Sequence, residues 1–188
     1  MNETQQHYIE TILPYRLYAV GAFEMALHLV AEFPEGADIE CTFDGKPKIQ
    51  GRSTAITNPT IEMGIVHSRV LFEFLGLKLN SKMNLAPTTP RKTDISIESF
   101  GLEKVSAEEA LAPCNGDKTK AGEAVINTLK AANKLVAHST DIIKMDNDSI
   151  KGHLMTCKAI PVLFNLYFFK KLGLPMPNSE IEKNVHSS

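Results

Sequence analysis

Four segments of this chain repeat apolar residues at steps of three and four, which is the spacing of one face of an α-helix. They cover residues 4–33, 59–75, 117–138 and about 148–172. Each segment is a stripe and is not apolar all round, so each helix has to bury one side against a neighbour. The pattern predicts an all-α fold, a kinked bundle of about four long helices.

Three prolines modify these helices. Pro14 and Pro161 fall inside the first and last stripes, where a proline ring removes an N–H donor and clashes with the preceding turn. We therefore expect a kink at each, or a first helix that begins near Pro14. Pro59 suits the first position of the second helix, with Thr57 or Asn58 as its N-cap.

The segments between the stripes differ in character. Residues 38–52 fit a small β-hairpin turning at Asp44-Gly45 and fit an irregular loop equally well. Residues 77–105 are polar, and their prolines forbid a continuous helix, which predicts one long loop of functional or mobile character. Ser106 followed by Glu109 predicts a short capped helix over 106–111.

Composition limits the classes of protein. The chain has 188 residues and is 43% hydrophobic, which fits a single helical domain over 1–176 followed by a flexible C-terminal tail over 177–188. Its 20 basic and 22 acidic residues give a net charge of -2. That near-balance argues against a broad basic face for nucleic acid, although a local basic patch remains compatible with it.

Targeting signals and cysteines indicate a cytoplasmic protein. The N-terminal residues lack the basic and apolar regions of a signal peptide, and the most apolar stretch, 159–169, is too short to span a bilayer. We therefore predict no membrane partner. The three cysteines are widely spaced, which indicates reduced thiols and neither a disulfide framework nor a zinc site: Cys41, Cys114 and Cys157.

Arg69 and Glu73 interrupt an otherwise apolar helix and stand four residues apart. They can pair on one exposed face, which is worth about 0.3 kcal/mol. Alternatively, Arg69 is partly buried and held by a carboxylate of the long loop, Asp94 or Glu98, and losing one partner would then cost about 3–5 kcal/mol. A structural role for Arg69 is favoured over a catalytic one.

Two histidines are candidates for chemistry. His138 lies at the predicted end of the third helix, where the helix dipole favours the charged form, so it is either a proton donor or an ordinary cap. His153 and Cys157 share one face of the last helix, but two ligands do not make a zinc site and no third is marked by spacing. We predict no metal and no cofactor.

The segments HSRVLFEFL at 67–75 and NKLVAH at 133–138 together resemble bacterial proteins of the HEPN-like helical class. The resemblance covers less than a third of the chain. Many members of that class are ribonucleases with a motif of arginine, a polar residue, three variable residues and histidine, paired across a dimer. The resemblance implies RNA or a nucleotide as a partner, with Lys134 in the polar position and His138 in the histidine position.

Asn133 stands at the arginine position of that motif. An amide cannot supply the fixed positive charge that stabilises a developing phosphorane. If the chain is an active ribonuclease, His138 would act as general acid or base, and Lys134 and Arg69 would replace the missing arginine as anion stabilisers.

The alternative hypothesis is a non-enzymatic interaction or regulatory protein that forms a homodimer through its last helix. Residues 160–169 are more apolar than one buried helix face requires, and they are rich in phenylalanine. Such a stripe is typical of a core or a dimer interface.

Overall fold

The computed structural model describes residues 1–114, 117–137 and 146–177, and within them the chain is mainly helical. The helices are α1 Glu3–His7, α2 Leu13–Glu32, α3 Thr54–Phe74, α4 Ala107–Leu111, α5 Lys118–Ala137, α6 Asn147–Phe164 and α7 Lys170–Leu172. The strands are β1 Asp38–Phe43, β2 Lys46–Arg52, β3 Leu77–Leu79 and β4 Leu85–Pro87. The predicted bundle of four long helices is matched only roughly, because π-helical turns divide two of the helices and a second hairpin, β3–β4, is added.

A π-helical turn, Tyr8–Ile12, joins α1 to α2 directly before Pro14. The N–H of Leu13 reaches back five residues to the carbonyl of Tyr8. Proline has no N–H to donate one turn back, so widening the preceding turn is a way for the helix to continue. The long helix α2 thus begins at Leu13, next to Pro14, but helical turns continue before it back to Glu3. A second π turn, Asn165–Phe169, joins α6 to α7 shortly after Pro161.

The start of α3 corrects the predicted boundary. The helix begins at Thr54, and Pro59 lies inside it. Ser53 precedes the helix, and its hydroxyl accepts a hydrogen bond from the N–H of Ala37 at 2.9 Å, while its own N–H donates to the Ala37 carbonyl at 2.7 Å. These bonds tie the base of the β1–β2 hairpin to the helix start, a long-range constraint that local cap chemistry does not reveal.

The hairpin at 38–52 is confirmed. Strands β1 and β2 are antiparallel, with a register shift between Cys41 and Thr42. Asp44 and Gly45 both have positive φ, 50° and 72°, as a two-residue type I′ turn requires. The hairpin lies largely on the surface of the protein.

Residues 77–105 are not the single polar loop that was predicted. Strands β3 and β4 form a second antiparallel hairpin, and Ile97–Phe100 forms a 3₁₀ turn. The segment is held against the residues that follow α3, since the N–H of Thr88, inside the segment, donates to the Gly76 carbonyl at 2.8 Å and that of Val105, at its end, donates to the Leu75 carbonyl at 3.0 Å. Three apolar side chains in it are buried: Leu77, Ile97 and Val105.

The core lies between α2, α3, α5 and α6, each of which packs against two or more of the others. Its aromatic centre includes Phe74, whose ring lies 5.5 Å from that of Phe164 and 5.2 Å from that of Phe168. Phe164, Phe168 and Phe169 are all buried, so the phenylalanine-rich stripe belongs to the core of one chain. None of the described helices is long and apolar enough to cross a bilayer.

Candidate functional site

A small cleft of about 150 Å³ opens between the second half of α3, strand β3 and the end of α5. Its apolar wall comes from three leucines, of which Leu77 and Leu129 are buried. Its polar groups come from all three elements. The lining residues are Arg69, Glu73, Leu77, Lys78, Leu79, Leu129 and Asn133.

The Arg69–Glu73 pair forms one side of this cleft. Arg69 Nε donates to Glu73 Oε1 at 2.9 Å, and the side chains are 36% and 40% exposed. The predicted pairing of Arg69 with Glu73 is therefore confirmed, although the two side chains are partly buried. The alternative with a loop carboxylate is wrong, because Asp94 accepts from the Arg91 N–H and Glu98 pairs with Lys104.

The cleft carries more positive than negative charge. Arg69 and Lys78 bring two cations, and Glu73 brings one carboxylate. Within the described residues, Arg69 bonds through Nε alone, so its two terminal nitrogens remain open to a ligand. Apolar walls beside fixed charges strengthen their field, and the arrangement is therefore suited to an anion.

The predicted site residues differ in where they lie relative to the cleft. Arg69 and Asn133 line the same cleft, although they stand 64 positions apart in the sequence. Lys134 is exposed on α5 and is not among the lining residues. His138 lies outside the described residues, so the predicted site cannot be followed past the end of α5 at Ala137.

Lys78 was missed by the sequence analysis. It lies on β3, paired with Ala86 of β4, and this short hairpin brings it to the ends of α3 and α5. Alternation over three residues is too short a signal to mark a strand. Only the anchoring of residues 77–105 to α3 brings the lysine to the cleft.

His153 and Cys157 each make contacts between helices. His153 Nδ1 lies 2.8 Å from the hydroxyl of Thr128 on α5, and Cys157 Sγ lies 3.5 Å from the hydroxyl of Ser68 on α3. Burial lowers the pKa of His153 and raises the pKa of Cys157 to about 12. The thiol is therefore neutral and unreactive at pH 7. The part of the chain that the structure describes contains no cluster of three or more potential metal ligands.

A second polar contact is buried between α2 and α3. Arg16 donates from one terminal nitrogen, Nη1, to His67 Nδ1 at 3.1 Å, and His67 is only 5% exposed. The ring of Tyr15 packs edge-on against the imidazole, with centroids 5.2 Å apart. Burial and the neighbouring Arg16 cation lower the pKa of His67 to about 4, so the imidazole is neutral at pH 7.

No family model, no curated protein and no solved structure matches this chain. Function therefore has to be argued from the sites themselves.

Proposed function

We propose that this chain is a HEPN-like helical protein that binds RNA or a nucleotide, and that the cleft between α3, β3 and α5 holds a phosphate group of that ligand. The single observation that carries the proposal is that Arg69 lines the same cleft as Asn133. Asn133 occupies the position where the motif of the HEPN-like ribonucleases has arginine, and Arg69 brings a guanidinium to that neighbourhood from another helix.

The chemistry of the cleft supports a phosphate ligand. A guanidinium offers several N–H donors in a planar fork that matches phosphate oxygens, and Lys78 adds a second positive charge. The amide of Asn133 supplies a further donor. Because the cleft is small, about 150 Å³, it suits one phosphate with part of its sugar and not a whole base-paired helix.

Binding to a fluorescent single-stranded RNA and to ATP tests this proposal by anisotropy and by competition. The double substitution Arg69→Met, Lys78→Met should weaken binding on the order of tenfold or more, because it removes two phosphate contacts. The matched control is Lys82→Met, Lys92→Met, which removes two exposed lysines that do not line the cleft. Equal losses in both double variants, or no binding by the wild type, would contradict the proposal.

Ribonuclease activity is a separate question, which concerns the residues of the predicted motif. If the protein cleaves RNA, His138 is the general acid or base of the resemblance, and Lys134 and Arg69 stabilise the negative charge that develops on phosphorus. His138→Ala should then abolish cleavage and leave RNA binding nearly unchanged. RNA that stays intact with both wild type and His138→Ala would leave a binding protein and reject the enzyme.

A homodimer without enzymatic activity is the second candidate, and one observation favours it. Val162 on α6 and Leu166 in the π turn that follows it lie four residues apart and are 45% and 43% exposed. Their neighbours Leu163 and Phe164 are buried. They present apolar surface away from the core, where a second copy of the chain could cover it.

Sedimentation equilibrium tests the homodimer. The wild type should associate, and Val162→Glu, Leu166→Glu should be monomeric with unchanged helicity. A monomeric wild type at high protein concentration would reject this candidate and leave the phosphate cleft untouched.

A further inference from the structure

Arg16 is a partly buried cation with no carboxylate partner among the described residues. Its described hydrogen bond runs from Nη1 to the neutral imidazole of His67. Nε of Arg16 is buried and has no hydrogen-bond partner. Buried donors in folded proteins are nearly always paired, so this atom calls for an explanation.

The hydrogen bond to His67 determines which edge of the Arg16 guanidinium has no partner among the described residues. Arginine can only donate, so His67 Nδ1 has to accept, and the imidazole carries its proton on Nε2. Nη1 is the terminal nitrogen on the side of Cδ. The remaining edge, Nε with Nη2, is the fork that binds two oxygens of a carboxylate or phosphate in parallel.

A second arginine in the same chain illustrates a guanidinium whose donors are occupied. Arg52 donates from Nη2 to the carbonyls of Glu35 and Gly36 at 2.6 and 2.8 Å, and from Nη1 to Asp38 at 3.2 Å. Arg52 is more exposed than Arg16 and still has three protein acceptors, whereas the Nε–Nη2 edge of Arg16 has none in the described part of the chain.

We propose that Arg16 is a binding site for a small oxyanion, a carboxylate or a phosphate, which the Nε–Nη2 edge grips while His67 holds the guanidinium in place. Arg16 is the binding residue, and His67 is a positioning residue that acts through it. Tyr15, whose ring packs on His67, is itself 57% exposed. Arg16 itself is only half-buried, which gives an anion a path from solvent.

The direct test follows the Nε–H signal of Arg16 by ¹⁵N NMR while the wild-type protein is titrated with inorganic phosphate, with acetate and with chloride at equal ionic strength. A saturable shift of this signal with phosphate or acetate, and none with chloride, is the expected result. The anion that acts at lower concentration identifies the class. A shift that does not saturate, or one that chloride reproduces, would overturn the proposal.

Three variants make the test specific. Arg16→Lys keeps the charge and loses the fork, so the anion should bind on the order of tenfold more weakly and stabilise the protein less against heat. Arg52→Lys, at the arginine whose acceptors lie in the protein, should keep the wild-type response to the anion. His67→Gln should weaken binding less than Arg16→Lys does. Equal anion stabilisation of Arg16→Lys and wild type would reject the site.

The site is independent of the proposed phosphate cleft. Arg69→Met, Lys78→Met removes the cleft cations and should leave the Arg16 titration unchanged. If the Arg16 signal responds only when Arg69 and Lys78 are present, the anion occupies the cleft alone and the Arg16 site is rejected. If RNA binding fails while the Arg16 signal still saturates, the proposed function is rejected and this inference stands.

Discussion

Arg69 and Arg16 both contact polar side chains of α3, but their surroundings differ in water and in charge. Arg69 pairs with the carboxylate of Glu73 in an open cleft, where both side chains are more than a third exposed. Arg16 pairs with the neutral His67, which is 5% exposed, and no carboxylate neutralises it within the described residues. The first contact resembles an ordinary helical ion pair, and the second leaves a buried donor without an acceptor.

The contribution of an arginine contact to the stability of the fold depends on how exposed the contact is to water. Water screens the Arg69–Glu73 pair, so it contributes little to stability and can exchange Glu73 for a ligand. The Arg16–His67 contact cannot use water in the same way, so protonating or displacing His67 has a larger cost.

The largest expected effect is a loss of stability in acid through His67. Its pKa is lowered from 6.5 to about 4 in the folded protein, so the unfolded chain binds more protons between those values. Stability is therefore complete above about pH 6.5 and falls as the pH drops towards 4, by up to about 3 kcal/mol from this residue. Urea unfolding of wild type between pH 4 and 7.5 measures it.

His67→Gln is the variant that isolates this contribution, because a glutamine oxygen can still accept from Arg16 and does not titrate. The slope of the unfolding free energy against pH should become shallower. Part of the remaining slope should come from His153, because burial also lowers the pKa of that residue. His28→Gln changes a histidine whose side chain is 74% exposed and should keep the wild-type slope. A His67→Gln slope equal to that of wild type would show that His67 is not the titrating group.

The next largest effect is expected from a substitution between α2 and α3, the two helices that carry the Arg16–His67 contact. A Cβ added at Gly64 would lie 2.7 Å from Phe23 Cβ, so Gly64→Ala forces α2 and α3 apart one turn before His67. We expect a loss of about 2 kcal/mol, since overpacking a core costs about 1–3 kcal/mol. The Arg69–Glu73 cleft faces α5 and should keep its ligand affinity.

Gly21→Ala is the matched control for that substitution. Gly21 is a helical glycine of α2 with no atom within 4 Å of an added Cβ. Alanine there should stabilise the protein by about 0.5–1 kcal/mol, because it lowers the entropy of the unfolded chain. Thermal unfolding of both variants gives the comparison, and destabilisation of equal size would mean that the Phe23 contact is not the cause.

The smallest effect concerns the exposed pair. Glu73→Gln removes the carboxylate from Arg69 and should cost only about 0.3–0.5 kcal/mol of stability. The same change leaves the cleft with two cations and no anion, so RNA affinity should rise about two- to threefold. Glu62→Gln, elsewhere on α3, is the control. Lower RNA affinity in Glu73→Gln would mean that the carboxylate itself contacts the ligand.

Helix periodicity and capping predicted most of the helices and several of their ends. Ser106 caps α4 with Glu109 in a capping box, and Gly173 ends the last helix in the left-handed conformation, both from short-range chemistry. The π turns next to Pro14 and Pro161 were not predicted, because a proline in a stripe indicates a disturbance and not its form. The helix start at Thr54 was missed because Ser53 is hydrogen-bonded to Ala37, at the base of the β1–β2 hairpin and outside any local cap pattern.

The candidate site was predictable only in part. The spacing of four residues predicts the pairing of Arg69 with Glu73, which the structure shows. The sequence was also compatible with a carboxylate of residues 77–105 as the partner of Arg69. The meeting of Arg69 with Asn133, and the arrival of Lys78, depend on how α3, α5 and β3 pack. No local pattern links residues that lie tens of positions apart, so the cleft could not be deduced from the chain alone.

Interactions between neighbours along the chain predict a mainly helical fold and its apolar helix faces, and they offer the turn at Asp44 and Gly45 as one of two possibilities. The tertiary structure alone decided that Phe164, Phe168 and Phe169 form core, and that residues 77–105 fold back onto α3. It also decided that Arg16 meets His67. The physical reason is that burial and pairing depend on contacts between segments that are distant in sequence. These contacts give residues of the same type different exposure and different protonation.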